Sequence, residues 1–190
     1  RDIYKISSQI LEKFKNKRIL ITGGAGSIGS QICIELLKSK PKEIILYDNS
    51  EYNIFKIDEK LKKNNIKFIL GDINDPEFLK KIINKKKIDY LFHAAAYKHV
   101  KYCEKNVCAA VKNNIFGTLN VLNSIKNTDI KFVFVSTDKA VNPKNVLGMT
   151  KRIAEILIVG KNDEYAYKKN KIQIVRFGNV LGSAGSAIPK

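Results

Sequence analysis

The stretch Arg18-Ile19-Leu20-Ile21-Thr22-Gly23-Gly24-Ala25-Gly26-Ser27-Ile28-Gly29 decides the fold. Its first five residues are apolar and β-branched enough to read as a buried strand, and Gly23 to Gly26 read as a tight turn. From Ile28 a new apolar stripe begins at helical spacing, with Ile32, Leu36 and Leu37. Strand, glycine turn and helix in that order form a phosphate-binding turn. Gly23 permits the turn, Gly26 lets the backbone approach a diphosphate, and Gly29 lets the helix pack closely. The helix start at Ser27 and Ile28 offers backbone N–H groups and a partial positive charge to an anion. A glycine turn of purely structural use has the same composition, so this loop alone names no ligand.

Working outward, the same alternation continues. Strand-like runs are predicted at Glu43–Asp48, Ile66–Leu70, Tyr90–Ala94, Lys131–Ser136 and Ile172–Phe177. Helical stripes lie between them: Ile54, Ile57 and Leu61; Phe78, Leu79, Ile82 and Ile83; Val111, Ile115, Leu119, Leu122 and Ile125; then Ile153, Ile156, Leu157 and Val159. Apolar strands separated by helices predict an α/β fold. The expected architecture is a doubly wound parallel Rossmann sheet of about six or seven strands, with helices on both faces. Residues 1–17 read as an amphipathic leader helix, with Ile6, Ile10, Leu11 and Phe14 on one face packed at the domain edge. Residues 18–190 read as the dinucleotide-binding domain.

The second strand sharpens the ligand. It ends at Asp48, 19 residues past Gly29, where a carboxylate accepts bonds from ribose hydroxyls and repels a 2′-phosphate. That favours NAD over NADP. A strand-end Asp that merely caps the next helix is the plainer alternative. Asp72 and Ile73 after the third strand suit the adenine edge. Ala94, Ala95 and Ala96 after the fourth give small side chains where a cofactor must pass. Their order on successive strand ends is what counts, because ligands in such sheets bind at the carboxyl ends.

Composition narrows the class. The chain has 190 residues and a formal net charge of +17. Lys is scattered and far outnumbers Arg, the usual phosphate-reading residue, so no nucleic-acid partner is expected. The positive field would still favour an anionic substrate. No apolar run reaches the roughly 18–20 residues of a membrane span. Cys33, Cys103 and Cys108 form no metal-type pair and suit a reducing, cytoplasmic setting. No metal site is expected; His93 reads as a strand-end packing residue, and His99 beside Lys98 as lining the substrate cleft.

After the fifth strand come Ser136-Thr137-Asp138-Lys139-Ala140-Val141-Asn142-Pro143. Thr137 could bond a sugar hydroxyl or keto oxygen, Asp138 could protonate a leaving hydroxyl, and Lys139 could exchange a proton if its pKa falls. A polar turn with a local salt bridge is the plainer reading.

Here the sequence resembles a family. Thr22–Gly29, His93-Ala94-Ala95-Ala96-Tyr97-Lys98-His99-Val100, Asn113–Thr118, Ser136–Pro143 and Arg176-Phe177-Gly178-Asn179-Val180-Leu181-Gly182-Ser183 resemble the extended short-chain dehydrogenase/reductases. More narrowly, they resemble the CapD-type polysaccharide biosynthesis proteins, the UDP-N-acetylglucosamine 4,6-dehydratases. The resemblance implies NAD as a recycled hydride carrier: C4 of the sugar is oxidised, the C5 proton leaves, water is lost from C6, and the hydride returns to C6. The expected product is a UDP-4-keto-6-deoxy sugar for capsule, O-antigen or glycan synthesis. The resemblance assigns Thr137, Asp138 and Lys139 to catalysis, Asn114 to support of the site, and Lys151 to the nicotinamide ribose. It places Arg176, Asn179 and Ser183 near the nucleotide sugar.

The resemblance also implies a homo-oligomer and, for the large members, a membrane anchor that tethers a cytoplasmic catalytic domain to the inner face of the cell membrane. A C-terminal substrate lobe is absent, so the stretch is expected to bind NAD but turn over substrate poorly or not at all. One departure stands out. Where the superfamily has the Tyr of YxxxK, this chain has Leu147, and Leu carries no proton; the proton at the 4-hydroxyl must go to Asp138, Lys139 or Thr137. The rival readings are an NAD-dependent 4-epimerase on the same scaffold and, in another class, a catalytically weak NAD-responsive binding protein.

Overall fold

Each of the predicted strands forms, and all pair in parallel. The computed structural model describes residues 7–162, 164, 171–178 and 180. The strands are β1 (Arg18–Thr22), β2 (Glu43–Asp48), β3 (Ile66–Leu70), β4 (Tyr90–His93), β5 (Lys131–Thr137) and β6 (Ile172–Phe177). Their order across the sheet is β3-β2-β1-β4-β5-β6. Direction of travel reverses between β1 and β4, whose ends pair Thr22 with His93. A crevice opens at such a switch point, on the carboxyl side of the strands.

The helices are α1 (Ser8–Glu12), α2 (Ser27–Leu37), α3 (Glu51–Leu61), α4 (Pro76–Lys86), α5 (Val100–Lys105), α6 (Val107–Val111), α7 (Gly117–Ser124) and α8 (Val146–Asn162). A π-helical turn, Lys112–Phe116, joins α6 to α7, and a short 3-10 turn, Asp138–Ala140, follows β5. Successive strand residues point to opposite faces, so the sheet has two cores. On one face Ile19, Ile21, Ile44 and Leu46 meet Cys33, Leu36 and Ile57 of α2 and α3. On the other, Leu20, Ile45, Leu91, Phe132 and Phe134 meet Leu79, Ile83, Val121, Leu122, Ala154 and Ile158 of α4, α7 and α8. Phe14 docks the segment after α1 onto the first core, 4.8 Å from Tyr90 between ring centroids.

Three expectations change. The leader is helical only over Ser8–Glu12 among its described residues, and Ile10 is 49% exposed; residues 1–6 lie outside the described residues. The stripe Val111 to Ile125 is not one α-helix. The two four-residue spacings, Val111 to Ile115 to Leu119, fall on the π-helical turn, whose wider coil absorbs an extra residue. The stripe on α8 faces the wrong way. Ile153, Ile156 and Val159 are 43%, 56% and 58% exposed, whereas Leu147, Thr150, Lys151, Ala154, Glu155 and Ile158 are buried. The inner face of α8 carries the site's polar groups, so apolar spacing points to its outer face.

Candidate active site

The glycine loop is sterically tight. Gly23 has φ +65°, and a Cβ there would lie 2.6 Å from Ala95 N. A Cβ on Gly29 would collide with the Gly23 carbonyl, so α2 packs against the loop itself. Gly26 is the N-cap of α2 and brings no side-chain bond to its first turn. The helix therefore begins with backbone donors and no competing carboxylate, which suits a diphosphate.

Asp48 is buried beneath this loop and braces it. Its Oδ2 accepts the Ala25 N–H at 3.0 Å and its Oδ1 accepts the Ser50 N–H at 3.0 Å. The capping alternative is therefore partly realised, although Ser50 is the residue that caps α3. Each carboxylate oxygen keeps a further lone pair for a ribose hydroxyl. Asp72 holds the next turn by accepting from Asn74 N at 2.8 Å, and Asn120 donates to the Ile73 carbonyl at 3.1 Å.

At the end of β4, His93 is fully buried and packs 5.6 Å from Phe134. Packing is only part of its role. Its Nδ1 lies 2.6 Å from Thr22 Oγ1 and its Nε2 3.0 Å from Thr118 Oγ1. Thr118 donates its own hydroxyl proton to the Asn114 carbonyl at 2.7 Å. Its oxygen is thus left to accept from Nε2–H, and Nδ1 accepts from Thr22. Burial and the nearby Lys151 push the His93 pKa down to about 3, so the ring stays neutral. Asn114, 1% exposed, receives the Tyr97 N–H at 2.8 Å and donates to Tyr97 O and to Thr150 Oγ1. It braces the segment after Ala96 and does not line the cleft.

The β5 end supplies the reactive groups. Thr137 and Lys139 line an open cleft of about 950 Å³ together with Gly23, Asp48, Ala95 and Lys151. Of the predicted set, Gly26, Ser27, Ile28, Gly29, Asp72, Ile73, Ala94, Ala96, Lys98 and His99 also line this cleft. Asp138 does not. It is exposed and accepts from Thr137 Oγ1 at 2.9 Å and Lys139 Nζ at 3.2 Å. Those two bonds hold its carboxyl below the usual range, and a carboxylate so held is a poor proton donor. Leu147 lines the cleft and packs with Cys103 and Ala110, so no proton-carrying group stands at that position.

Lys151 is 5% exposed, with its Nζ 4.0 Å above the Phe134 ring. Burial lowers its pKa to about 7, against the opposing pull of Glu155. A lysine so placed changes protonation state near neutral pH. Arg176 is absent from the lining of this cleft. It turns toward α8 and grips Glu155 through Nε at 2.9 Å and Nη2 at 2.6 Å. Asn179 and Ser183 lie outside the described residues. Glu155 escaped the sequence reading, because its role depends on partners from two other elements; its only local signal is the four-residue step from Lys151. Tyr97 and Tyr102 also line the cleft unpredicted. No group of three or more His, Cys, Asp or Glu is placed to hold a metal among the described residues.

A family model described as polysaccharide biosynthesis protein matches residues 19–190. The chain belongs to that family. This CapD-like chain is 46% identical over 186 residues to the capsular polysaccharide biosynthesis protein CapD of Staphylococcus aureus, covering 95% of the chain and 31% of that protein. It is 38% identical over 178 residues to a UDP-N-acetylglucosamine 4,6-dehydratase (inverting) of Campylobacter jejuni, covering 93% of the chain and 53% of that protein. Among solved structures, Pen from Bacillus thuringiensis superposes with a TM-score of 0.85 at 42% identity, over 92% of the chain and 53% of Pen. The CapD-like chain thus spans about half the length of several relatives it matches, and 31% of the Staphylococcus aureus CapD. No helix among the described residues is long and apolar enough to cross a membrane.

Proposed function

We propose that this chain is the NAD-binding half of a nucleotide-sugar 4,6-dehydratase acting on a UDP-sugar, with UDP-N-acetylglucosamine as the substrate. One observation carries the reading. A single cleft runs from the glycine loop and Asp48, past Ala94–Ala96, to Thr137, Lys139 and Lys151. Its two ends differ in chemistry: phosphate and ribose recognition at one, proton handling at the other. NAD bound there would supply a reversible hydride acceptor for the sugar C4.

The chain's own residues supply the rest. The loop donors hold the diphosphate, and Asp48 favours free ribose hydroxyls over a 2′-phosphate. Lys151 sits near neutrality and can hold the ribose as a donor or take part in proton exchange. Thr137 offers a hydroxyl to the sugar oxygen. Lys139, ion-paired with Asp138, offers a further donor at the β5 end. Since Leu147 carries no proton, the proton from the 4-hydroxyl is assigned to the neutral form of Lys151, with Thr137 bonding the sugar oxygen.

A 4-epimerase is the second reading. The observation favouring it is Asp138, which is absent from the cleft lining and held ionised, whereas dehydration needs an acid for the C6 hydroxyl. Mass spectrometry of UDP-N-acetylglucosamine incubated with NAD and a protein of the relatives' full length separates the two. Loss of water is the expected result, an isobaric product indicates epimerisation, and unchanged sugar overturns the catalytic assignment.

A further inference from the structure

Glu155 lies on α8, one helical turn past Lys151, and is 2% exposed. It gathers three side chains. Its Oε1 accepts from Ser136 Oγ at 2.6 Å and Arg176 Nε at 2.9 Å. Its Oε2 accepts from Arg176 Nη2 at 2.6 Å and Arg152 Nη1 at 3.4 Å. Both arginines are exposed, and ion pairs open to water on one side contribute little to stability. Its placement therefore calls for another account.

That account is what the carboxylate joins. Ser136 directly precedes Thr137, which with Lys139 lines the cleft. Arg176 directly precedes Phe177 and Gly178, which line the same cleft, Phe177 beside Thr137 in the sheet. Lys151 stands on the same face of α8 as Glu155, since residues four apart are neighbours on a helix. Titratable groups flank Lys151 from several elements. Neutral His93 faces it from β4, and Lys139 with Asp138 follows β5. Glu155 acts from its own helix. Arg152 from α8 and Arg176 from β6 act through Glu155.

We propose that Glu155 is a positioning residue that locks the ends of β5 and β6 to the middle of α8 as one cleft wall and balances the charge of Lys151 against that of Arg176. Arg176 draws the carboxylate's field away from Lys151. Losing Arg176 returns that field to the lysine and favours its cation. Losing the carboxylate leaves burial unopposed and favours the neutral amine.

The proposal rests on the functional reading only in that Lys151 serves the cleft, so its test uses no dinucleotide. Lysine labelled with ¹³C at Cε is titrated by NMR, with the Lys151 signal assigned by Lys151→Arg. Glu155→Gln is expected to lower the Lys151 midpoint by about one pH unit, and Arg176→Gln to raise it by a similar amount. Midpoints that stay within about 0.2 units of the unsubstituted protein, or that move together, overturn the proposal. If Glu155→Gln does not fold, the sign of the Arg176→Gln shift decides alone: upward supports the proposal, and no shift or a downward one overturns it. Failure of NAD to bind the unsubstituted protein would refute the functional reading and leave these shifts unaffected.

Discussion

His93 and Lys151 are two buried bases within range of each other, and burial disfavours the charged form of both. The consequence for His93 is measurable. The ordinary histidine value is 6.5 and the folded value about 3, so in between the unfolded chain holds the extra proton. Native stability then falls as pH drops below 6.5, by at most about 1.4 kcal/mol per pH unit for this one group. Glu155, held by Arg176 down to about 2 from 4.5, adds a loss of the same sign only below 4.5. Lys151, lowered from 10.5 to about 7, adds a loss of the same sign between those values and little below pH 6, so urea unfolding between pH 6 and 4.5 isolates the histidine. Stability should decline across that window in the unsubstituted protein and decline less in His93→Asn; equal slopes would place the histidine in contact with water. Some of this scale was legible in advance. Gly23 and Asp48 could be placed because a backbone turn and a strand end fix what they do. Arg176 could not: strand alternation gives two facing directions, and only the tertiary position of Glu155 chooses between them.

At the scale of elements, the strands were legible because β-branched runs buried on both faces have no helical rival of that length. The helices were less so. α8 buries Thr150, Lys151 and Glu155 toward the site and shows Met149, Ile153, Ile156 and Val159 outward. Its polar inner face reverses the usual relation between apolar spacing and burial. A pair of substitutions tests that orientation. Ala154, fully buried against the sheet, has no room for a larger side chain, so Ala154→Leu is expected to cost about 1–3 kcal/mol. Ile156→Lys, on the exposed face, is expected to stay within about 0.5 kcal/mol. Urea midpoints that reverse this ranking would mean that the helix packs through its apolar stripe. The π-helical turn at Lys112–Phe116 was hidden for a related reason: its residues keep apolar spacing while the backbone inserts an extra position.

For the whole molecule, the strand order, the glycine loop and Asp48 give one coherent ligand-binding edge. The net charge of +17 surrounds that edge with a field that favours anions such as dinucleotides and UDP-sugars. The proton chemistry is less uniform with the fold, because Leu147 and the exposed Asp138 remove two groups that a simple transfer of function would use. Dinucleotide recognition is therefore the central claim, and calorimetric titration with NAD and then NADP tests it most directly. The expected result is saturable one-to-one binding of NAD in the micromolar range, at least about tenfold tighter than NADP, with Asp48→Asn losing about tenfold of the NAD affinity. No saturable NAD binding, or NADP bound as tightly as NAD, would contradict it.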